Sequence, residues 1–196
     1  MVIILFANNN NLDTFLLKGS IFVWFKLDLD GIIFQLQIRN YSSLSEEDWG
    51  SQWSKSDFSL TSDAWLNYSI QNAEVFLSCE IEKLANNLDK LLKDELTEIT
   101  VMEFVEPDFK LIFHPKKDLR NDPKYIYVKK GCEIVDITME WIVTFWNEGL
   151  TNNYLSVEFD RGNIYYLYNY LSLIMGNIDK HSKTIDDMLA KGIIFC

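Results

Sequence analysis

Between residues 78 and 93 the apolar side chains fall at Ile81, Leu84, Ala85, Leu88, Leu91 and Leu92. That is the i, i+3, i+4, i+7 spacing of one face of a helix. Glu82, Lys83, Asn86, Asn87, Asp89, Lys90 and Lys93 lie between them and form a solvated face. The spacing predicts a helix over Glu80–Leu92. Ser78 is placed to cap its start, and Glu80 and Glu82 sit near the positive end of its dipole. Each apolar residue of that face, if fully buried, contributes roughly 1.5–3 kcal/mol, an upper estimate. A helix built this way is a core element, and what flanks it must supply the surface it packs on.

The flanks read as strands. Trp65 to Leu77 gives one or two strands before the helix, with Asn72 as a break. After it, Glu98–Phe104 is rich in β-branched and apolar residues. Phe109, Leu111 and Phe113 then alternate with Lys110, Ile112 and His114. Pro107 fixes φ and cannot donate to a ladder, so residues 105–108 read as the turn of an antiparallel hairpin. Upstream, Val23, Phe25, Leu27 and Leu29 alternate with polar or amphipathic neighbours, as do Phe34, Leu36 and Ile38. The Asp30-Gly31 dipeptide between them predicts a tight hairpin. Tyr41 to Asp63 is the longest polar segment and reads as a loop. Downstream, Pro115–Lys130 reads as a basic loop with a short strand at Tyr125–Val128. Val135 to Phe145 is the cleanest alternating strand, and Asn147-Glu148-Gly149 turns it back into Leu155-Val157-Phe159. Asp160 can cap a helix over Asn163–Met175 that Gly176 ends. A last helix over Ile185–Lys191 carries a capping box in Thr184 and Asp187, with Gly192 as its stop. The expected architecture is one α+β domain over residues 1–196: a curved, mostly antiparallel sheet with the two longer helices on one face. Residues 1–20 are not placed by these signals.

Charge narrows the function. The net charge of −11 is concentrated, with 17 acidic and 5 basic residues from Asp28 to Asp108. From Phe109 to Lys130 the balance reverses, with 7 basic and 2 acidic residues. Direct nucleic-acid binding needs clustered cations and is disfavoured, whereas a basic protein partner is favoured by steering and complementarity. Acidity that serves only solubility is the alternative. The three cysteines, Cys79, Cys132 and Cys196, form no CxxC and no disulfide framework, so a reducing, cytoplasmic setting is expected. The apolar run at residues 2–6 is too short for a membrane span and lacks a basic leader.

Catalytic signatures are sparse. His114 and His181 stand apart without further ligands at metal spacing, and no phosphate-binding glycine loop or nucleophile elbow occurs. Cys79 at a helix start favours a thiolate, yet a small buried residue at a strand–helix junction explains it as well. Glu103, Glu106 and Asp108 offer carboxylates of the kind glycoside hydrolases pair, a pattern that arises readily in any acidic chain. The expectation is no enzyme, no cofactor and no metal, with a carbohydrate- or small-ligand-binding module and a carboxylate hydrolase as the competing readings. In the polar segment, Trp49 and Trp53 lie beside Glu46, Glu47 and Asp48, and exposed aromatics next to charge are typical interface anchors. The alternative is that both tryptophans fold back onto the core.

From Gly31 to Met175 these elements resemble the WapI-type immunity proteins, small bacterial antitoxins carried beside wall-associated, contact-dependent toxins. The likeness rests on IFQLQIRNY, Trp65-Leu66, EIEKLANNLDKLL, the acid–Pro pair in EFVEPDFKLIF and the terminal helix FDRGNIYYLYNYL. These are patterns of core residues, and no functional residue transfers by position. The resemblance implies a protein that binds the toxin's C-terminal nuclease domain and blocks it. Glu46, Glu47, Asp48, Trp49 and Trp53 are the candidate toxin-binding residues on the sequence-derived argument above.

Overall fold

In the computed structural model, which describes residues 22–42, 53–146 and 149–196, the Asp30-Gly31 dipeptide makes the predicted hairpin. It joins β1 (Trp24–Leu29) to β2 (Ile32–Arg39) in antiparallel register. Asp30 and Gly31 take φ of 53° and 87°, the pair of left-handed residues whose twist matches the strands they join. The Gly31 amide donates to the Asp28 carboxylate at 2.8 Å and holds the turn. Val23, Phe25 and Leu27 then face inward with Phe34, Leu36 and Ile38.

The polar segment corrects the loop expected over Tyr41–Asp63. Trp53–Ser62 is a ten-residue strand, β3, paired to β2 on one side and to β4 (Leu66–Leu77) on the other. Its inward positions are Ser54, Ser56, Phe58 and Leu60, all buried. Small hydroxyl side chains occupy half of that face, so the alternation that marks a strand is muted in the sequence. β4 is one strand of 12 residues rather than two. Asn72, at φ 50°, marks an irregularity within it, and its amide donates to Asp57 at 2.5 Å.

α1 (Ser78–Leu92) follows directly, with Ile81, Leu84, Ala85, Leu88 and Leu91 buried as the spacing requires. Its cap differs from expectation: Leu77 is the capping residue, and Ser78 is the first helical one. Glu80 reaches back to accept the Leu77 amide at 2.9 Å and the Val105 amide at 2.7 Å. The second hairpin is β5 (Thr100–Glu103) and β6 (Phe109–His114), antiparallel as read. The short strand predicted at Tyr125–Val128 is absent. The Asp122 carboxylate takes the Lys124 amide, and the Asp122 carbonyl takes the Tyr125 amide, which bends the chain there. β7 (Lys117–Asp118) pairs instead with β8 (Ile134–Val135), and Ile126 and Tyr127 stand in solvent at 105% and 80% exposure.

β9 (Thr138–Trp146) pairs with β6 and with β10 (Leu150–Phe159). α2 (Arg161–Ile174) is capped by Asp160, whose carboxylate accepts the Asn163 amide at 2.8 Å, and Gly176 follows its end at φ 73°. α3 (Lys183–Ala190) is capped by Ser182 rather than by the expected Thr184 box. It leads into β11 (Ile194–Phe195), which pairs with β1.

The class is α+β with antiparallel strands and two main helices. The strands divide between a five-stranded sheet, β11-β1-β2-β3-β4, and a four-stranded one, β10-β9-β6-β5, with β7-β8 as a separate ribbon. Rings from both sheets interlock in one contiguous core. Phe34 meets Trp141 at 5.0 Å and Phe159 at 5.1 Å, and Phe58 meets Phe109 at 4.9 Å, all edge to face. Each sheet hands the chain to one helix, β4 to α1 and β10 to α2, and the two helices pack on each other.

Candidate functional site

The inward side of the four-stranded sheet is consumed by the core: Met102, Leu111, Phe113, Met139, Trp141 and Phe159 are all buried. Strand alternation therefore directs the other residues of β5, β6, β9 and β10 outward. Register aligns them in rows. Val101 stands opposite Ile112, Ile112 opposite Glu140, and Glu140 opposite Glu158. In the next row Glu103 stands opposite Lys110, Lys110 opposite Ile142, and Ile142 opposite Ser156. The face is thus apolar along its middle and acidic along its flanks.

Two carboxylates directly opposite each other are a destabilising cross-strand pair. Glu140 is partly compensated: His114 Nε2 lies 2.8 Å from its Oε1, and the Ser156 hydroxyl donates to its Oε2 at 3.1 Å. Glu158 is exposed and has no polar side-chain partner among the described residues. Glu103 is held at 3.1 Å by Lys110.

At one end of the face Val105, Trp146, Leu150 and Tyr154 cluster around the strand ends, with Val105 and Tyr154 59% and 66% exposed. Asp108 is buried beside them and takes a hydrogen bond from the Trp146 side chain. Burial first, and the neighbouring Glu106 charge second, raise its carboxyl above the ordinary aspartate range. At the other end, where the β7-β8 ribbon meets the sheet, lies a depression of about 430 Å³. Ile99, His114, Lys116, Val135, Glu140 and Glu158 line it. A second depression, about 320 Å³, lies on the five-stranded sheet beside Trp24 and is crossed by the Arg39–Asp57 ion pair at 2.8 Å.

Of the residues named from sequence, Glu46, Glu47, Asp48 and Trp49 lie outside the described residues. Trp53 opens β3 and is half-buried, opposite Leu77 in register and so beside the start of α1. The turn that carries Val105 is bound to that same start through Glu80. Glu103, Glu106 and Asp108 do not converge on a cleft: Glu103 is tied to Lys110, Asp108 is covered, and none lines either depression. His114 lines the larger depression, and Cys79 is half-buried in the first turn of α1. Among the described residues, no group of three or more His, Cys, Asp or Glu is arranged to hold a metal ion. No helix there is long and apolar enough to cross a membrane. Sequence reasoning passed over the outward face itself. Its signal was present in Val101, Ile112 and Ile142, apolar residues at positions that alternate with an already apolar inner row.

The family described as "Immunity protein WapI-like family" matches residues 25–177 of the chain. Neither a curated protein nor a solved structure matches it.

Proposed function

We propose that this chain, which belongs to the WapI-like immunity protein family, neutralises the nuclease domain at the C-terminus of a wall-associated, contact-dependent toxin by covering it. Family membership makes it an immunity protein and its partner a cognate toxin. The finer reading rests on charge. A domain that grips phosphate backbones carries clustered Lys and Arg, and this chain carries a net charge of −11. Opposite fields of that kind speed encounter and fix orientation. Inhibition is by occlusion, in the cytoplasm of the cell that carries the toxin gene. On this reading the segment carrying Glu46, Glu47, Asp48 and Trp49, which leads into Trp53, contributes to the contact.

The competing readings draw no support from the geometry. A carbohydrate module presents aligned rings in a groove, but the larger depression is lined by no Phe, Tyr or Trp. A carboxylate hydrolase needs its acids facing one substrate, and Glu103, Glu106 and Asp108 are apart in environment. The test is reconstitution. The toxin domain encoded beside this gene is purified and assayed on RNA and DNA with and without the full chain. Stoichiometric loss of nuclease activity is the expected result. A toxin domain that keeps its full activity at excess chain, or proves to have no nuclease activity, overturns the reading.

A further inference from the structure

We propose that the toxin domain docks on the outward face of the four-stranded sheet, and that this face fits a basic surface patch with an apolar centre. The inference rests on the function proposed above and places its contact surface. Three observations converge on it. Exposed Ile99, Val101, Val105, Leu150 and Tyr154 gather on this sheet and its ends, whereas the outward residues of β2 and β3 are mostly polar, among them Gln35, Arg39, Asp57 and Ser59. Apolar and aromatic side chains ringed by charge reproduce the arrangement of an interface core and its rim. The side chains that do line the inner row are spent on the core, so the outer row has no packing role within the chain.

Charge then selects the occupant. Glu140 and Glu158 oppose each other in register, and Glu106 and Asp108 add to the same face. Its outward cation on β6, Lys110, is already paired with Glu103. A partner presenting Arg or Lys relieves the Glu140–Glu158 repulsion, which the isolated fold must bear. A second copy meeting the same face would lay these glutamates against each other, and nucleic acid would be repelled. The basic toxin domain is the occupant that both the apolar centre and the acidic flanks accommodate.

The test uses the full chain and the purified toxin domain, with binding rates followed by surface plasmon resonance. Val101→Ser with Tyr154→Ser removes the apolar centre, and Glu158→Lys reverses an exposed flank charge. Asn67→Lys with Ser69→Lys alters the outward face of β4 as a control. Near-ultraviolet circular dichroism checks that each variant is folded. The apolar variant is expected to weaken binding by roughly 30-fold or more, through faster dissociation. Glu158→Lys is expected to slow association and flatten its salt dependence, and the control to stay within about two-fold of the parent. Folded face variants that bind like the parent, while the control or changes at residues 46–53 abolish binding, overturn this surface and leave the proposed function standing. A parent chain that does not bind the toxin domain at all removes both. A dimer in sedimentation that Glu158→Lys dissolves would make a second copy the occupant and overturn the assignment to toxin.

Discussion

Tyr170 shows how much one side chain can decide. Its ring is buried in α2 and stacks 5.2 Å from Phe25, and its hydroxyl joins two backbone groups of the five-stranded sheet. The hydroxyl donates to the Val23 carbonyl at 3.1 Å and accepts the Ile38 amide at 2.9 Å. Tyr170→Phe keeps the shape and strands both groups, so we expect a loss of about 1–3 kcal/mol in urea unfolding. Asp108 makes the opposite case, a carboxylate in a costly place. With its pKa raised in the folded chain, the folded state holds the proton more tightly than the unfolded state does. Its contribution is therefore favourable below the ordinary aspartate value and is lost as pH rises through the raised one. Asp108→Asn should be at least as stable as the parent at neutral pH, and the parent should gain on the variant as pH is lowered. Urea midpoints of the two proteins measured in parallel would show it; a difference independent of pH would mean the carboxyl titrates normally. The sequence points to neither role. Tyr168, not Tyr170, falls on the helical stripe read from spacing, because α2 is buried around more than one face.

At the scale of elements, periodicity was legible wherever an apolar face was continuous. The α1 stripe, both long hairpins, the β9 alternation and the Asp160 cap all stand where the residues place them. Legibility failed where local chemistry and tertiary demand diverged. β3 was hidden because Ser54 and Ser56 face the core beneath neighbouring strands. Tyr125–Val128 has strand composition but no strand to pair with, since β7 is taken by β8. Two predictions belong here. Leu88 is fully buried, and Leu88→Ala should cost about 2–5 kcal/mol by opening a cavity; a cost below about half a kcal/mol would mean that the site collapses without penalty. Arg161 ties three elements at the start of α2. It donates to the Leu92 carbonyl at 3.0 Å and pairs with Asp94 at 2.6 Å and Asp136 at 2.8 Å. The guanidinium holds the Asp136 carboxyl below the ordinary range, so this stabilisation is present at neutral pH and is lost as acid protonates Asp136. Arg161→Lys keeps the charge but not the planar fork. Because the cluster is partly exposed, the expected loss is only about 1 kcal/mol at neutral pH, shrinking in acid.

For the whole molecule, the uneven charge carries the most consequence. Between Asp28 and Asp108 acids outnumber bases by 17 to 5, while residues 109–130 reverse the sign with 7 bases to 2 acids. Part of that basic run is neutralised internally, through Lys117–Asp122 and Arg120–Asp118, so the acidic side dominates the long-range field. Association with a basic toxin domain should then be fast at low salt and slow as ions screen the field over a Debye length of about 8–10 Å. Neutralising Glu46, Glu47 and Asp48 together to glutamine should lower the association rate and its salt slope with little change in dissociation. Trp49→Ala and Trp53→Ala should act on dissociation instead, by about 2 kcal/mol or more for whichever ring is an anchor. Trp53 needs a stability control, because it opens β3 opposite Leu77 and its truncation also touches the start of α1. Stopped-flow mixing across ionic strength separates the two effects. Association indifferent to salt, with both tryptophan variants silent, would detach residues 46–53 from the contact and leave the outward face of β10-β9-β6-β5 to account for binding alone.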